Sequence, residues 1–295
     1  MQKAIKQAFT LIELLVVIAI IGILSGLIVV TMNGVTQKAN IAKAQVFSNS
    51  LRSALMLNLV SEWKLDAVSS NQVSDSWGSN TGTFYDSTGA CDATHCPQIQ
   101  TTGCVYGNCL YFDGNDYISF GDVLDIGTSD LTISVWAKPV LPFSATKGVI
   151  GKANDGADDG RYSICVSSGS KIRTIFDSGA GQTLDSINSL SSDWNLFTVT
   201  WDRNDHMKLY LNGIFESSVS ISAGNGQNYN TAIPFLIGAY QTSGYYFVGS
   251  IDEARVFFAV LPSSKIKEQY YAGLNSLLIK KNISVERYVK LLANK

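Results

Sequence analysis

The segment FTLIELLVVIAIIGILSGLIVV, Phe9 to Val30, constrains this chain more than any other stretch: 22 residues carry a single charge, Glu13. As a helix rising about 1.5 Å per residue it would be roughly 33 Å long, close to the ~30 Å hydrocarbon core of a bilayer. Lys3 and Lys6 precede it with no acid to balance them. The positive-inside rule therefore keeps Met1–Ala8 in the cytoplasm and sends the rest of the chain outside. A cleaved secretory signal would have a shorter apolar core ending at a small-residue cleavage site; here the run continues past Ser25 and Gly26. A carboxylate inside a membrane is costly unless it is paired, which marks Glu13 as a functional residue. The plainer alternative is that Glu13 sits near the interface and reaches the headgroups.

From Thr31 the pattern turns amphipathic. Val35, Ala39, Ala42 and Val46 recur at helical spacing, and Phe47, Leu51, Leu55 and Leu59 follow every fourth residue, which predicts one long helix from about Phe9 to Leu59. From Ser61 the period drops to two. LTISVWAK places Leu131, Ile133, Val135 and Ala137 on one face, and LFTVTWD and MKLYLNG alternate in the same way. Asn212-Gly213 is a strong hairpin signal, because both residues tolerate positive φ. YFDGNDYISF reads as two short strands about an Asp-Gly turn. Many short strands with close turns predict an antiparallel sandwich or jelly roll. With the long helix in front and a short helix capped by Ser284 behind, the chain is α+β.

The amino-terminal stretch KQAFTLIELLVVIAIIGIL resembles the class III signal of type IV pilins and pseudopilins. In that family a prepilin peptidase cuts on the cytoplasmic side just before the Phe, and the new amino terminus is N-methylated. The resemblance implies a cut between Ala8 and Phe9 and methylation of Phe9. The family's usual residue before the cut is Gly, so Ala8 is a departure, though still a small residue. Residues i and i+4 share a helix face, so Glu13 can pair with the freed α-amino group of Phe9 in its own or a neighbouring subunit. Such pairing would set the register of assembly.

A second set of motifs runs from WKLD at Trp63–Asp66 through SDSWGSNTG, LYFDGNDYISF, LTISVWAKP, WNLFTVTWD and KLYLNG to GSIDEARVF at Gly249–Phe257. In this order they resemble a laminin-G-like or concanavalin A-like jelly roll. The resemblance implies a structural calcium in some members. The candidate ligands here are Asp75, Asn80 and Asp252, hard oxygen donors of the kind calcium takes; otherwise Asp75 and Asn80 organise a turn with Gly78 and Gly82 and Asp252 caps a strand end. The acidic loop NDGADDG, Asn154–Gly160, lacks the spacing of an EF-hand and reads as a solvated loop.

The expected organisation is a leader at 1–8, a pilin-type helix at 9–60 with its membrane span at about 9–32, a jelly roll at 61–272 and a basic tail at 273–295. Cys91, Cys96, Cys104 and Cys109 would lie outside the cytoplasm and form two disulfides; three connectivities are open, and a zinc site is the alternative. Cys165, in a strand, reads as a small buried apolar residue. A net charge of -2 excludes a bulk nucleic-acid binder. No pair of carboxylates suited to glycoside hydrolysis stands out, since Glu216 and Glu253 are isolated, and neither His95 nor His206 lies in a metal or triad pattern. The expectation is therefore a binding protein and no enzyme. Trp77, Tyr245 and Tyr246 are loop aromatics that could stack on sugar rings.

These readings converge on a single-pass membrane protein with an extracytoplasmic head, found at the cell surface or in a pilus after processing. Its expected partners are the membrane, other pilin or pseudopilin subunits, prepilin peptidase, and a glycan or protein ligand. A pseudopilin of a secretion or DNA-uptake machine and a tethered adhesin that never assembles are the alternatives.

Overall fold

The computed structural model describes residues 11–12, 14–22, 58–92, 95–154, 161–177, 181–242 and 244–293. The chain divides into two units, Met1–Asn49 and Ser50–Lys295. In the first, residues 11–12 and 14–22 are helical. Their apolar side chains are exposed all round, from Leu11 at 82% to Val17 at 45%. A helix apolar on every side needs an apolar environment around it. Among the described residues no helix is long and apolar enough to cross a membrane. Ala8, Phe9, Glu13 and most of the span expected at 9–32 lie outside the described residues.

The second unit is an antiparallel sandwich. One sheet holds β1 (Leu59–Trp63), β5 (Gln98–Gln100), β6 (Cys109–Asp113), β8 (Leu131–Pro139), β13 (Asn195–Trp201), β14 (His206–Leu211), β15 (Ile214–Ser220) and β17 (Val248–Phe257), in the order β15-β14-β13-β8-β17-β6-β5 with β1 also on β17. The other holds β2 (Gln72–Val73), β3 (Gly82–Asp86), β4 (Gly89–Ala90), β7 (Asp116–Ser119), β9 (Lys147–Lys152), β10 (Tyr162–Val166), β11 (Ile172–Phe176), β12 (Gln182–Asp185) and β16 (Phe235–Ile237). Its order is β12-β11-β10-β9-β16-β7-β3-β2, with β4 on β3. The hairpin at Asn212-Gly213 forms as expected, with φ of 54° and 78°. The Asp113-Gly114 turn joins β6 and β7, but the two strands belong to opposite sheets, so the turn carries the chain across the sandwich. Leu59 and Val60, expected at the end of the long helix, open β1 instead, because Leu59 pairs with Phe257.

The inner faces supply Trp63, Phe112, Ile133, Val135, Val199, Leu209 and Ile251 from one sheet, against Phe84, Ile118, Val149, Ile164 and Phe235 from the other. Each such side chain contributes about 1.5–3 kcal/mol when fully buried. In β8 the residues between the inward positions are buried too. Helix α1 (Ser263–Ile279) covers them: Trp136 stacks on Tyr270 at 5.7 Å and packs in one cluster with Leu196, Leu274 and Leu277. A Cβ on Gly273 would lie 2.2 Å from the Trp136 ring, so glycine permits this close approach. The boundary expected at 272/273 therefore falls inside a packed helix. Helix α2 (Val285–Ala293) follows, and the Arg287 N–H donates to the Ser284 hydroxyl at 3.1 Å, the cap read from the sequence.

Candidate functional site

Sheet alternation places Tyr85 of β3 and Tyr117 of β7 on the outer face of the nine-stranded sheet, because their neighbours Phe84 and Ile118 point into the core. The two tyrosines are cross-strand partners with ring centroids 5.6 Å apart. Tyr246 stacks on the other side of Tyr117 at 5.9 Å. Burial pushes the Tyr117 and Tyr246 phenols up, and the Tyr246 hydroxyl donates to the Thr242 carbonyl at 2.9 Å.

Tyr246 belongs to the loop Gly238–Phe247, which closes on itself through Phe247 N–H to Gly238 O at 2.8 Å. The loop lies flat on β9. A Cβ at Gly148 would meet Tyr240 N at 2.0 Å, and the Gly148 N–H donates to Tyr245 O at 2.8 Å. Tyr240 packs with Ala153, Cys165 and Ile175. At the crest stands Tyr245, 39% exposed, its ring set edge-on to Tyr240 at 5.9 Å. Its φ is 59°, a left-handed conformation that costs a bulky residue about 1–3 kcal/mol and concentrates at functional positions. The crest thus offers one exposed aromatic face and a phenol hydroxyl, beside a tyrosine ladder in which Tyr117 and Tyr246 are buried and only Tyr85 is part-exposed. That combination can stack on a sugar ring or an apolar side chain and hydrogen-bond at its edge.

Asp86 and Asp116 are cross-strand partners at the end of this ladder. Hydrogen bonds from Thr88 hold the Asp86 carboxyl below its usual range. Burial, with Asp113 nearby, raises Asp116 to about 7.

Of the aromatics singled out in the sequence, Tyr245 is exposed, whereas Tyr246 is packed into the ladder. Trp77 is 40% exposed, but its indole N–H donates to Leu59 O at 2.8 Å and pins the start of β1. Tyr85, Tyr117 and Tyr240 were not anticipated; their only signal was an aromatic on the off-core phase of a strand or beside a glycine.

The calcium candidates do not form a cage. Asp75 Oδ1 accepts the N–H groups of Glu62, Trp77 and Gly78 at 3.0, 2.9 and 2.8 Å, and its Oδ2 accepts that of Asn80 at 3.3 Å. The Asn80 amide donates to Ser61 Oγ at 2.7 Å. Asp252, fully buried, accepts the Val105 and Tyr106 N–H groups through Oδ2 at 2.9 and 3.0 Å, while Oδ1 has no hydrogen-bond partner. Burial raises its pKa well above the carboxylate range. Asp75 and Asn80 share one turn and Asp252 shares no partner with them; both Asp75 oxygens and Asp252 Oδ2 already accept N–H groups, which leaves Asp252 Oδ1 by itself. Among the described residues no group of three or more His, Cys, Asp and Glu side chains is placed to hold a metal. Apart from Asn154, the NDGADDG loop lies outside the described residues.

The cysteines pair sequentially, Cys91 with Cys96 and Cys104 with Cys109. The second loop is stitched under α1: Ser276 Oγ donates to Val105 O at 2.5 Å and Asn282 to Cys104 O at 2.8 Å. Cys165 is free and fully buried, its thiol pushed up to about 12 by burial. The two isolated glutamates have structural ties: Glu216 accepts from Asn188 at 2.8 Å, and Glu253 pairs with Arg255.

The prokaryotic N-terminal methylation motif matches residues 3–29. No curated protein matches the chain. Among solved structures it is similar to domain 4 of AbnA, an extracellular arabinanase from Geobacillus stearothermophilus, in complex with arabinotriose. There the TM-score is 0.57 at 20% identity, over 72% of this chain and 97% of that one. It is also similar to the binding domain of botulinum neurotoxin serotype D (TM-score 0.56, 16% identity, 76% of this chain) and to that toxin's ligand-binding domain in complex with N-acetylneuraminic acid (0.54, 14%, 76%). It spans 53% of each of those two chains. These likenesses concern the fold. The concanavalin A-like lectin/glucanases superfamily matches residues 112–267, more than half of the chain, and this protein belongs to that superfamily.

Proposed function

We propose that this chain is a type IV pilin-like surface protein, a minor pilin or pseudopilin, whose sandwich is a lectin-like head for adhesion to glycans or proteins. The observation that carries this reading is the union, in one chain, of the methylation motif at residues 3–29 with a concanavalin A-like domain. The apolar, exposed helical residues 11–12 and 14–22 support it, since they need a membrane or a packed filament around them. In this reading prepilin peptidase removes Met1–Ala8, Phe9 is methylated, and Glu13 pairs with the amino group of an assembling subunit. The head is held outside the cell and does no chemistry. Its ligand surface is the crest at Tyr245 with the Tyr85–Tyr117–Tyr246 ladder. The arabinotriose and N-acetylneuraminic acid complexes of the similar folds make a sugar the first ligand to test.

Intact mass of the mature protein tests the first half. Loss of Met1–Ala8 with one added methyl is expected; a mature protein that keeps its leader overturns the pilin reading. A glycan array with the full chain, beside a Tyr245→Ala variant, tests the second. Binding that falls at least tenfold in the variant supports the crest, and equal binding by both proteins removes it.

A further inference from the structure

One end of the sandwich is organised by two buried cations. Lys152, at the end of β9, has no exposed surface. Its ammonium donates to Asp122 Oδ1 at 2.8 Å, Asp125 Oδ1 at 2.6 Å and the Thr231 carbonyl at 3.1 Å. Arg203, 1% exposed, donates to the carbonyls of Gly127, Gly224 and Gln227 at 3.3, 3.1 and 2.8 Å and lies 3.9 Å from the Tyr229 ring centroid. Both cations serve the same two segments, 122–127 and 224–231. Direct bonds join those segments as well: Tyr229 N–H to Gly127 O at 3.0 Å, Gly127 N–H to Asn230 Oδ1 at 3.0 Å and Thr231 N–H to Asp125 Oδ1 at 3.2 Å.

Two carboxylates and a peptide carbonyl converging on one point form a hard-oxygen donor set. Here that point holds a compact ammonium with its three N–H donors all used. Taking the charge away would leave Asp122 and Asp125 facing each other uncompensated, an arrangement that draws in a cation. We infer that the Lys152 ammonium is a built-in substitute for a divalent ion. It orders this rim of the head, so the head keeps its fold without calcium. The ligands that the family resemblance suggested for calcium serve N–H groups elsewhere, and the rim supplies its own positive charge.

Thermal unfolding of the full chain in detergent, followed by tryptophan fluorescence with calcium or with a chelator, tests this. The wild type is expected to unfold at the same temperature in both. Lys152→Ala should unfold several degrees lower in chelator, because a buried ammonium is lost between carboxylates that are 51% and 33% exposed, and should recover most of that loss in millimolar calcium. Lys152→Gln, which keeps most of the side-chain volume, separates lost charge from lost packing and should respond to calcium in the same direction. Terbium luminescence should appear in the variants and not in the wild type, sensitised by Tyr162, whose hydroxyl donates to Leu124 O at 2.5 Å beside Asp125. A wild type that loses stability in chelator overturns the inference. So does failure of both variants to recover in calcium, whether because they are unaffected or because they stay unfolded.

Discussion

The two outer faces of the sandwich are finished in opposite ways. On the eight-stranded sheet, α1 covers the outward residues of β8 and β13, so that Trp136, Leu196 and Tyr270 are all buried. On the nine-stranded sheet the cover is a ten-residue loop, Gly238–Phe247, which buries β9 but lifts Tyr245 into solvent. The helix face is closed by shape complementarity around Gly273. The loop face is held by a few backbone bonds and carries a residue in an unfavourable conformation. A face built for stability has no exposed aromatic at its centre; a face that keeps one there, at a cost in backbone energy, has a reason outside folding.

Four substitutions or conditions would break or sharpen this contrast. The largest effect belongs to Trp136→Ala, which should cost about 3–5 kcal/mol by leaving a cavity under α1, read as a shifted denaturation midpoint without loss of ligand binding by the folded fraction. Gly273→Ala comes next. Alanine favours a helix, yet the added methyl must displace the Trp136 ring, so a destabilisation of about 1–3 kcal/mol is expected; a stabilised variant would refute the close packing. Tyr245→Gly should behave in the opposite sense, raising stability by about 1 kcal/mol as the φ of 59° is relieved, while ligand binding is lost. The remaining effect is one of pH, of the same order as that of Gly273→Ala. Asp116, raised to about 7, binds a proton in the folded state over a range where the unfolded chain has released it. Its ionisation therefore costs stability as pH rises from about 4 to about 7. The melting temperature should fall by a few degrees from about pH 5 to about pH 8, and Asp116→Asn should flatten that slope.

Local chemistry made part of this legible in the sequence. Asn212-Gly213 announced its hairpin because the turn demands positive φ, and the alternation in LTISVWAK identified the inward face of β8. Burial of its other face was hidden, because it depends on Ser263–Ile279, a helix whose mix of Tyr, Gly and Ser carries only a weak periodic signal. Asp113-Gly114 read as a turn between two short strands, and so it is, yet nothing local distinguishes a turn within a sheet from one between sheets. Cysteine spacing was compatible with three pairings, and folding chose the sequential one. Asp252 drew attention as a calcium candidate or a strand-end cap; its use, accepting two N–H groups of the Cys104–Cys109 loop, depends on a contact 147 residues away in the chain. Tyr245 and Tyr246 stood out together, but only the loop's path over Gly148 decides which of them meets solvent.

In the proposed reading, where the sandwich is a head carried on a tether, the first strand has a mechanical meaning. Any tension transmitted along the chain ahead of Leu59 enters the sandwich through β1. That strand is riveted at both ends of its five residues: the Trp77 indole holds the Leu59 carbonyl, Asp75 holds the Glu62 amide at 3.0 Å, Arg255 binds the Glu62 carboxylate at 2.9 Å, and the Trp63 ring is sunk in the core. The loop Ser74–Gly82 is in this sense a strain relief. It clamps the point where load arrives, so that a pull on the tether must break several bonds together before it can peel the strand away and reach the tyrosine crest.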